Sequence, residues 1–245
     1  MNKYRPHGVT PEQVENGQMR TFGNYMKNLA LTEAELKGKS ILDVGANSAN
    51  FGDVAARFGA SVVSVDASRP EGWQDVLEGE SKKLFAVAAE NLVLKDRLGL
   101  AQESQFDMVL SHYSTPYVLV NDGQDSTGRW KEQKSPEELV RYLYDHSFQS
   151  LENIFLHIKA GGKAVVYPLF LDLDSTEAVH VDFGNGEHRN VAQFNSIIHS
   201  VLNNLRSKYQ DHFDLHLEKV PQAKEGYDLT RLVIMRRPMI SNYER

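Results

Sequence analysis

The stretch Ser40-Ile41-Leu42-Asp43-Val44-Gly45-Ala46-Asn47-Ser48-Ala49-Asn50 constrains the fold of this chain more than any other segment. Ser40 to Val44 is short, largely apolar and ends in Gly45, the pattern of a buried parallel strand. Phe51, Val54, Ala55 and Phe58 then recur at helical spacing until Gly59, and Ala60 to Val65 forms a second apolar run closing on Asp66. On an open α/β sheet a ligand binds beyond the carboxyl ends of the strands. The first strand-to-helix turn must let bare backbone approach it, which calls for small residues such as Gly45, Ala46, Ser48 and Ala49. A carboxylate ending the second strand, here Asp66, offers two acceptors to the paired hydroxyls of a ribose. Strand, small turn, helix, strand and acid, in that order, point to a nucleotide-like cofactor.

The rest of the chain continues the alternation of helix and strand, which favours a mainly parallel sheet covered on both faces. Thr10, Pro11 and Gln13 open a helix whose apolar face is Phe22, Tyr25, Met26 and Leu29. A short helix follows Thr32 and stops at Gly38. A weaker helix is expected around Trp73 to Leu77, a third strand at Leu84 to Ala88, a partly helical stretch at Leu92 to Leu98 and a fourth strand at Phe106 to Leu110. Residues from His112 to about Lys134 are irregular and polar, the kind of long loop that is usually functional. Ser135-Pro136-Glu137-Glu138 caps a long helix with Leu151, Ile154, Phe155 and Ile158 on its later apolar face. Gly161-Gly162 is expected to stop that helix, and Ala164 to Tyr167 to form the fifth strand. A helix through Phe194, Ile197, Ile198, Val201, Leu202 and Leu205 precedes two last strands. Phe213, Leu215 and Leu217 alternate with polar residues as at a sheet edge, whereas Leu232 to Met235 is apolar throughout and belongs inside the sheet. The expected fold is therefore α/β: a seven-stranded, mostly parallel, doubly wound sheet with helices on both faces, the last strand antiparallel, and an N-terminal helical lid. The organisation read from this is a helical extension over 1–38, a Rossmann-like domain over 39–237 with a lid insertion at about 112–135, and a tail over 238–245.

A formal net charge of −6 with no long basic run makes nucleic acid an unlikely partner. The absence of cysteine excludes disulfides, thiolate metal sites and a cysteine nucleophile. No run reaches the roughly 20 apolar residues of a membrane span, and residues 1–11 lack the apolar core of a signal peptide. A cytoplasmic protein without membrane association is expected, and the oligomeric state is not readable.

Several motifs, in order, carry a family resemblance. Lys39 to Ser68 resembles the first motif and the following acidic strand end of class I, Rossmann-like S-adenosylmethionine-dependent methyltransferases. Ala89-Glu90-Asn91-Leu92 resembles their adenine-contacting segment, Phe106-Asp107-Met108-Val109-Leu110-Ser111 their fourth-strand motif, and Ile158-Lys159-Ala160-Gly161-Gly162 the glycine turn before their fifth strand. The Asp-Val-Gly-Ala-Asn wording is also similar to the FkbM-like O-methyltransferases, whose second strand usually ends in Glu-Pro rather than Asp66-Ala67.

The resemblance implies S-adenosyl-L-methionine as cofactor. Asp43 would orient its methionine end, Gly45, Ala46 and Asn47 would form the turn beside it, and Asp66 would bind the ribose hydroxyls. Ala67 would pack near the adenine, Glu90 would contact it, and Ser111 would offer backbone to the amino group. Two departures stand out. The usual three-glycine turn keeps only Gly45, with Asn47 and Ala49 in place of the others. Ala88 stands where many relatives carry an adenine-facing Asp. The same turn lacks two of the three glycines of a dinucleotide fingerprint and has no Gly-Lys-Ser/Thr ending, which weighs against hydride and phosphoryl transfer.

Methyl transfer from a sulfonium is an in-line displacement in which positioning does much of the work. A hydroxyl acceptor also needs a base, and His112, just past the fourth strand, has the right unperturbed pKa. The competing reading of His112 is a partly buried hydrogen-bonding side chain. Tyr113, Tyr117, Arg129 and Trp130 are candidate substrate-lining residues, with packing beneath a lid as their alternative role. Asp172, Asp174, His180 and Asp182 read as a solvated acidic loop, and no metal is expected. The expected activity is methyl transfer to O or N of a small-molecule acceptor. No Asn/Asp-Pro-Pro-Tyr/Phe motif follows the fourth strand, where Ser111-His112-Tyr113-Ser114 stands instead. The alternatives are a non-catalytic binding or regulatory protein on the same fold and a methyltransferase acting on protein or RNA.

Overall fold

The computed structural model describes residues 22–46, 51–67, 69, 74–92, 94, 105–117, 124–125, 128–129, 135–172, 180–182, 188–221 and 228–238. Helix α1 covers 22–28, α2 Glu33–Leu36, α3 Phe51–Arg57, α4 Pro136–Leu156 and α5 Val191–Tyr209. Strands β1 (Ser40–Val44), β2 (Ser61–Asp66), β3 (Ser81–Phe85), β4 (Phe106–His112), β7 (Ile158–Tyr167), β11 (Phe213–Pro221) and β12 (Asp228–Arg236) form one sheet. Short β8 (Leu171–Asp172) pairs with β12, while β5 (Gln124–Asp125) with β6 (Gly128–Arg129), and β9 (His180–Asp182) with β10 (His188–Asn190), make two separate ladders.

The sheet order is β3-β2-β1-β4-β7-β12-β11. Renumbering these seven strands along the chain gives 3-2-1-4-5-7-6, the order of the Rossmann-like methyltransferase sheet. Strands β1, β2, β3, β4 and β7 pair in parallel, and β12 runs antiparallel to both β7 and β11. The chain leaves β1 toward β2 and returns on its other side with β4, so the switch point lies between the carboxyl ends of β1 and β4.

Alternation along the central strands feeds two cores. Leu42, Val44, Val63, Val65, Val109 and Val166 face α4 and α5. Ile41, Val62, Met108, Leu110, Val165 and Tyr167 face Phe22, Tyr25 and Leu29 of the N-terminal segment and Phe51, Val54 and Ala55 of α3. Strand β11 is the sheet edge, with Phe213 buried and Leu217 41% exposed. Strand β12 lies inside the sheet, yet Met235 on it is 38% exposed, so its apolar run is not uniformly covered.

Helix ends follow the expected chemistry. At α4, Ser135 Oγ accepts from the Glu138 N–H while the Ser135 N–H donates to the Glu138 carboxylate at 2.9 Å. At α2, the Thr32 N–H and hydroxyl both donate to Glu35, which also takes Lys163 of β7 at 2.7 Å. Lys163 holds the Glu35 carboxyl below its ordinary value. Lys83 on β3 is buried and meets Asp53 of α3 at 2.8 Å, so a charge that the edge of a sheet would normally expose is paired inside.

The helical start expected at Thr10 lies outside the described residues. Three other expectations shift. Leu77 is not helical: Val76 instead exchanges two backbone hydrogen bonds with Lys83, tucking this segment against β3. The third strand begins earlier, at Ser81, because Lys82 and Lys83 belong to it despite their charge. Helix α4 ends at Leu156, before the glycine pair, where the His157 ring nitrogen Nδ1 meets the Asn153 carbonyl at 2.7 Å. Ile158 already pairs with Phe106 on β4, so Gly161 and Gly162 lie inside β7.

Those glycines form a bulge. Phe106 pairs with Ile158 and Met108 with Lys163, so β7 carries extra residues opposite β4. Gly161 takes φ +75 in open space, whereas a Cβ on Gly162 would stand 2.9 Å from the carbonyl oxygens of Asp107 and Lys159. Asp107 gathers the base of this region: burial pushes its carboxyl up, but Lys159 and the N–H and hydroxyl of Ser40 outweigh that and hold it at about 2. Gly162→Ala is expected to cost about 2–3 kcal/mol in urea unfolding, since rigid backbone must move. Gly161→Asn should cost less than about 1 kcal/mol, because Asn tolerates the left-handed region.

Candidate functional site

The carboxyl ends of β1, β2 and β4 converge at the switch point. Asp43 stands one residue before the end of β1 on the face covered by α1, and it is fully buried. The Tyr25 hydroxyl of α1 donates to its Oδ1 at 3.2 Å. Burial pushes the Asp43 carboxyl up to about 7, with the Tyr25 hydrogen bond opposing and the nearby Asp66 charge reinforcing the shift. Tyr25 is itself driven well above the ordinary phenol value, first by burial and then by Asp43.

Gly45 follows β1 with φ +73, a region that an L side chain enters only with strain. The Gly45 and Ala46 N–H groups both donate to the Val65 carbonyl at 2.9 Å, tying the turn to β2. A Cβ on Gly45 would collide with the Ser114 side chain, which descends from the segment after β4. Ala46 is buried, and Asn47 lies outside the described residues. Asp66 ends β2 half-buried, its carbonyl accepting the Val87 N–H at 2.9 Å, and Ala67 beyond it is exposed.

Ser111 is register partner to Val44, and its buried hydroxyl donates to the Thr115 carbonyl at 3.1 Å. That bond closes a tight turn in which Tyr113 takes φ +49, its N–H donating to the Tyr167 carbonyl at 2.6 Å. The turn throws the Tyr113 ring outward, leaving it 46% exposed. Its ring stands edge-on to His112, Tyr117 and Tyr167, with centroids 5.0, 5.9 and 5.6 Å away. His112 packs on the other side against Tyr25 at 4.2 Å, and its Nε2 lies 3.0 Å from the Asn28 carboxamide nitrogen. Burial lowers the His112 pKa to about 4, so the ring is neutral near pH 7.

Asp43, Gly45, Ala46, Asp66, Ala67, Ser111, His112, Tyr113 and Tyr117 therefore sit on adjoining strand ends. Glu90 does not turn to the same centre. It stands in the short turn Ala89–Asn91, 3.3 Å from His146 Nδ1 of α4, and His146 in turn packs on Tyr142 at 4.0 Å. Asn153 of α4 also donates to the Ala89 carbonyl at 2.7 Å, so this whole segment is anchored to α4. Arg129 has its backbone in the β5–β6 ladder, and Trp130 lies outside the described residues. Tyr25, Asn28 and Ser114 belong to the site without having been singled out for it. Tyr25 counted in the sequence as one member of an apolar helix face, and the three-residue step to Asn28 was the available sign that both share that face.

Among the described residues no group of three or more His, Asp or Glu side chains is placed to hold a metal ion, and no helix is long and apolar enough to cross a membrane. A groove of about 410 Å³ between α4 and α5, lined by Val140, Tyr144 and Ile197, is formed by helix residues outside this cluster of strand ends.

No protein-family model and no curated protein matches the chain. Among solved structures it is similar to the 1,6-didemethyltoxoflavin-N1-methyltransferase of Burkholderia thailandensis with bound 1,6-didemethyltoxoflavin and S-adenosylhomocysteine. That likeness has 13% identity and a TM-score of 0.45, covering 96% of this chain and 93% of that one. It is also similar to the magnesium protoporphyrin IX methyltransferase of Synechocystis PCC 6803 with bound S-adenosylmethionine, at 12% identity and a TM-score of 0.43, covering 95% and 87%. An N-methyltransferase of Bradyrhizobium japonicum in complex with S-adenosyl-L-homocysteine matches at 11% identity and a TM-score of 0.42, covering 94% and 90%.

The raised carboxyl of Asp43 has a consequence for stability. Its folded value of about 7 lies above the ordinary 3.8, so between those values the folded state holds more protons than the unfolded one. This group's contribution then falls as pH rises from about 4 to about 7 and is level above that. Asp43→Asn keeps an acceptor for Tyr25 and removes the titration. Relative to the parent, the variant should gain about 2–4 kcal/mol between pH 5 and pH 8 in urea unfolding. Equal differences at both pH values would refute the account.

Proposed function

We propose that this protein is an S-adenosylmethionine-dependent methyltransferase that moves a methyl group to O or N of a small-molecule acceptor. The observation that carries this is the meeting of Asp43, the Gly45 turn, Asp66 and the Ser111–Tyr113 turn at the switch point of a 3-2-1-4-5-7-6 sheet. The residues fit the cofactor. A fully buried carboxylate whose pKa is pushed up to about 7 gains from a cation at its side, and the cofactor's amino group is one. When bound, the cofactor supplies a methyl group activated on a sulfonium.

The chain's own residues then divide the work. Asp43 orients the amino end, the backbone at Gly45 and Ala46 lies along the cofactor with Asn47 completing the turn, and Ser111 offers backbone at the amino group. Asp66 accepts from the ribose hydroxyls, Ala67 packs beside the adenine, and Glu90 borders it from the α4 side. His112, Tyr113 and Tyr117 wall the acceptor's approach, with Arg129 and Trp130 in the overlying segment. The N-terminal segment over 1–38 and the insertion at about 112–135 form the lid over a core domain spanning 39–237, and excluding water at closure strengthens every charge interaction inside. A neutral, buried His112 is a weak base, so positioning rather than proton removal is the main source of rate.

A second reading keeps the fold and the cofactor without turnover. It is favoured by the Ser114 side chain filling the space above Gly45 and by Ala88 in place of a carboxylate.

Calorimetric titration with S-adenosylmethionine and S-adenosylhomocysteine tests the site. Binding is expected, with Asp66→Ala weakening it at least about tenfold, the worth of a lost charge-assisted pair of hydrogen bonds. No binding at millimolar ligand would overturn the reading. The affinity should also rise from pH 5.5 to pH 7.5 in the parent, because the ionised form of Asp43 is the one that attracts the amino group. In Asp43→Asn that rise should be absent.

A further inference from the structure

His112 is held from several directions. Tyr25 of α1 packs on it, with Asp43 of β1 behind the Tyr25 hydroxyl, while Tyr113 stands edge-on beside it and Tyr167 of β7 lies 6.0 Å away. Asn28 of α1 places its carboxamide nitrogen 3.0 Å from Nε2, across 84 residues of chain. A carboxamide N–H only donates, so Nε2 must accept through its lone pair. A neutral imidazole carries one ring proton, which then resides on Nδ1.

Asn28 is itself fixed. It closes α1, and its carbonyl accepts from Arg231 Nη1 of β12 at 2.9 Å. The Nε and Nη2 edge of that guanidinium donates to Glu218 of β11. Arg231 is mostly covered, with 13% of its side chain exposed, and a cation at a helix carboxyl end is favourably placed. The chain of contacts Glu218, Arg231, Asn28 and His112 thus runs from the sheet edge to the strand end where the acceptor would approach.

We propose that Asn28 is a positioning residue that locks His112 in the Nδ1–H tautomer with its Nε2 lone pair engaged, so that His112 serves as a hydrogen-bond donor and not as a general base. The tautomer follows from the orientation of the Asn28 carboxamide, whose nitrogen faces Nε2. Its catalytic meaning rests on the methyltransferase reading above, and there it favours acceptors that react without surrendering a proton to His112, such as an oxyanion or an unprotonated nitrogen.

Long-range proton–nitrogen correlation spectra of the full chain, labelled with nitrogen-15 histidine, read the tautomer without cofactor or turnover. The parent is expected to show a protonated Nδ1 and an unprotonated Nε2 for His112, identified by its loss in His112→Gln. Asn28→Asp is nearly isosteric but can only accept, so it should move the proton to Nε2 and raise the His112 titration midpoint by at least one pH unit. Asn28→Ala, checked for an unchanged fold by circular dichroism, should leave a mixture of both tautomers. A parent with the proton on Nε2, or spectra unchanged in both variants, would overturn the proposal. Failure of cofactor binding in the calorimetric titration would instead remove the methyltransferase reading and leave the tautomer result standing.

Discussion

A carboxylate in the middle of a central strand is an expensive thing to bury, and Asp43 is buried completely. Its strand is flanked on both sides by parallel neighbours, so neither a shift of register nor a turn of the strand can bring it to water without moving Ile41 and Leu42 to the wrong cores. The cost is limited by what surrounds it. Tyr25 donates a hydrogen bond, Lys83 contributes a favourable charge from two strands away, and protonation near neutral pH relieves the remainder. Tyr25 can reach Asp43 only if α1 lies across this face of the sheet, and that placement sets Phe22 against Phe51 and Asn28 against His112. The position of the N-terminal helix and the electrostatics of the strand ends are therefore one problem with one solution.

The turn after β4 answers a second constraint. Ser111 spends its hydroxyl on the Thr115 carbonyl, and Tyr113 accepts a left-handed backbone while its N–H is held by Tyr167. Such a conformation in a bulky residue costs of order 1–3 kcal/mol and persists only where the surroundings over-determine it. Here it produces the large exposed ring at the site and brings Ser114 onto Gly45. Gly45 is thus required twice, by its own positive φ and by the neighbour above it.

The parts of this arrangement that were legible in the sequence are those written locally. The apolar run before Gly45, the acid closing β2, the Ser135–Glu138 cap and the stop at Gly38 each depend on residues a few positions apart, and each stands where its pattern places it. The readings that moved depended on distant partners. Lys83 looks like a surface residue until Asp53 of α3 is brought to it, which is why β3 extends back to Ser81. Gly161-Gly162 signals an irregular backbone correctly, but only the approach of the Asp107 carbonyl shows that the irregularity is a bulge within β7. Tyr25 reads as apolar because its hydroxyl finds a partner 18 residues on, and nothing near Asn28 in sequence announces His112.

Glu90 shows why fold and chemistry separate at this site. The family resemblance assigns its segment to the adenine side, yet its carboxylate meets His146 and its neighbour Ala89 is held by Asn153, both from α4. Anchoring a loop to a helix by two polar contacts makes a firm wall, since each buried or half-buried group would lose a partner if the loop moved. A carboxylate already paired with an imidazole is a poorer acceptor for an exocyclic amine than a free one. In the proposed site, recognition on that side then falls to backbone groups and shape. The cofactor reading consequently leans on β1 and β2, whose turn and acid are fixed by the parallel ladder between them, and the acceptor chemistry leans on β4, whose histidine is set by a helix from the other end of the chain.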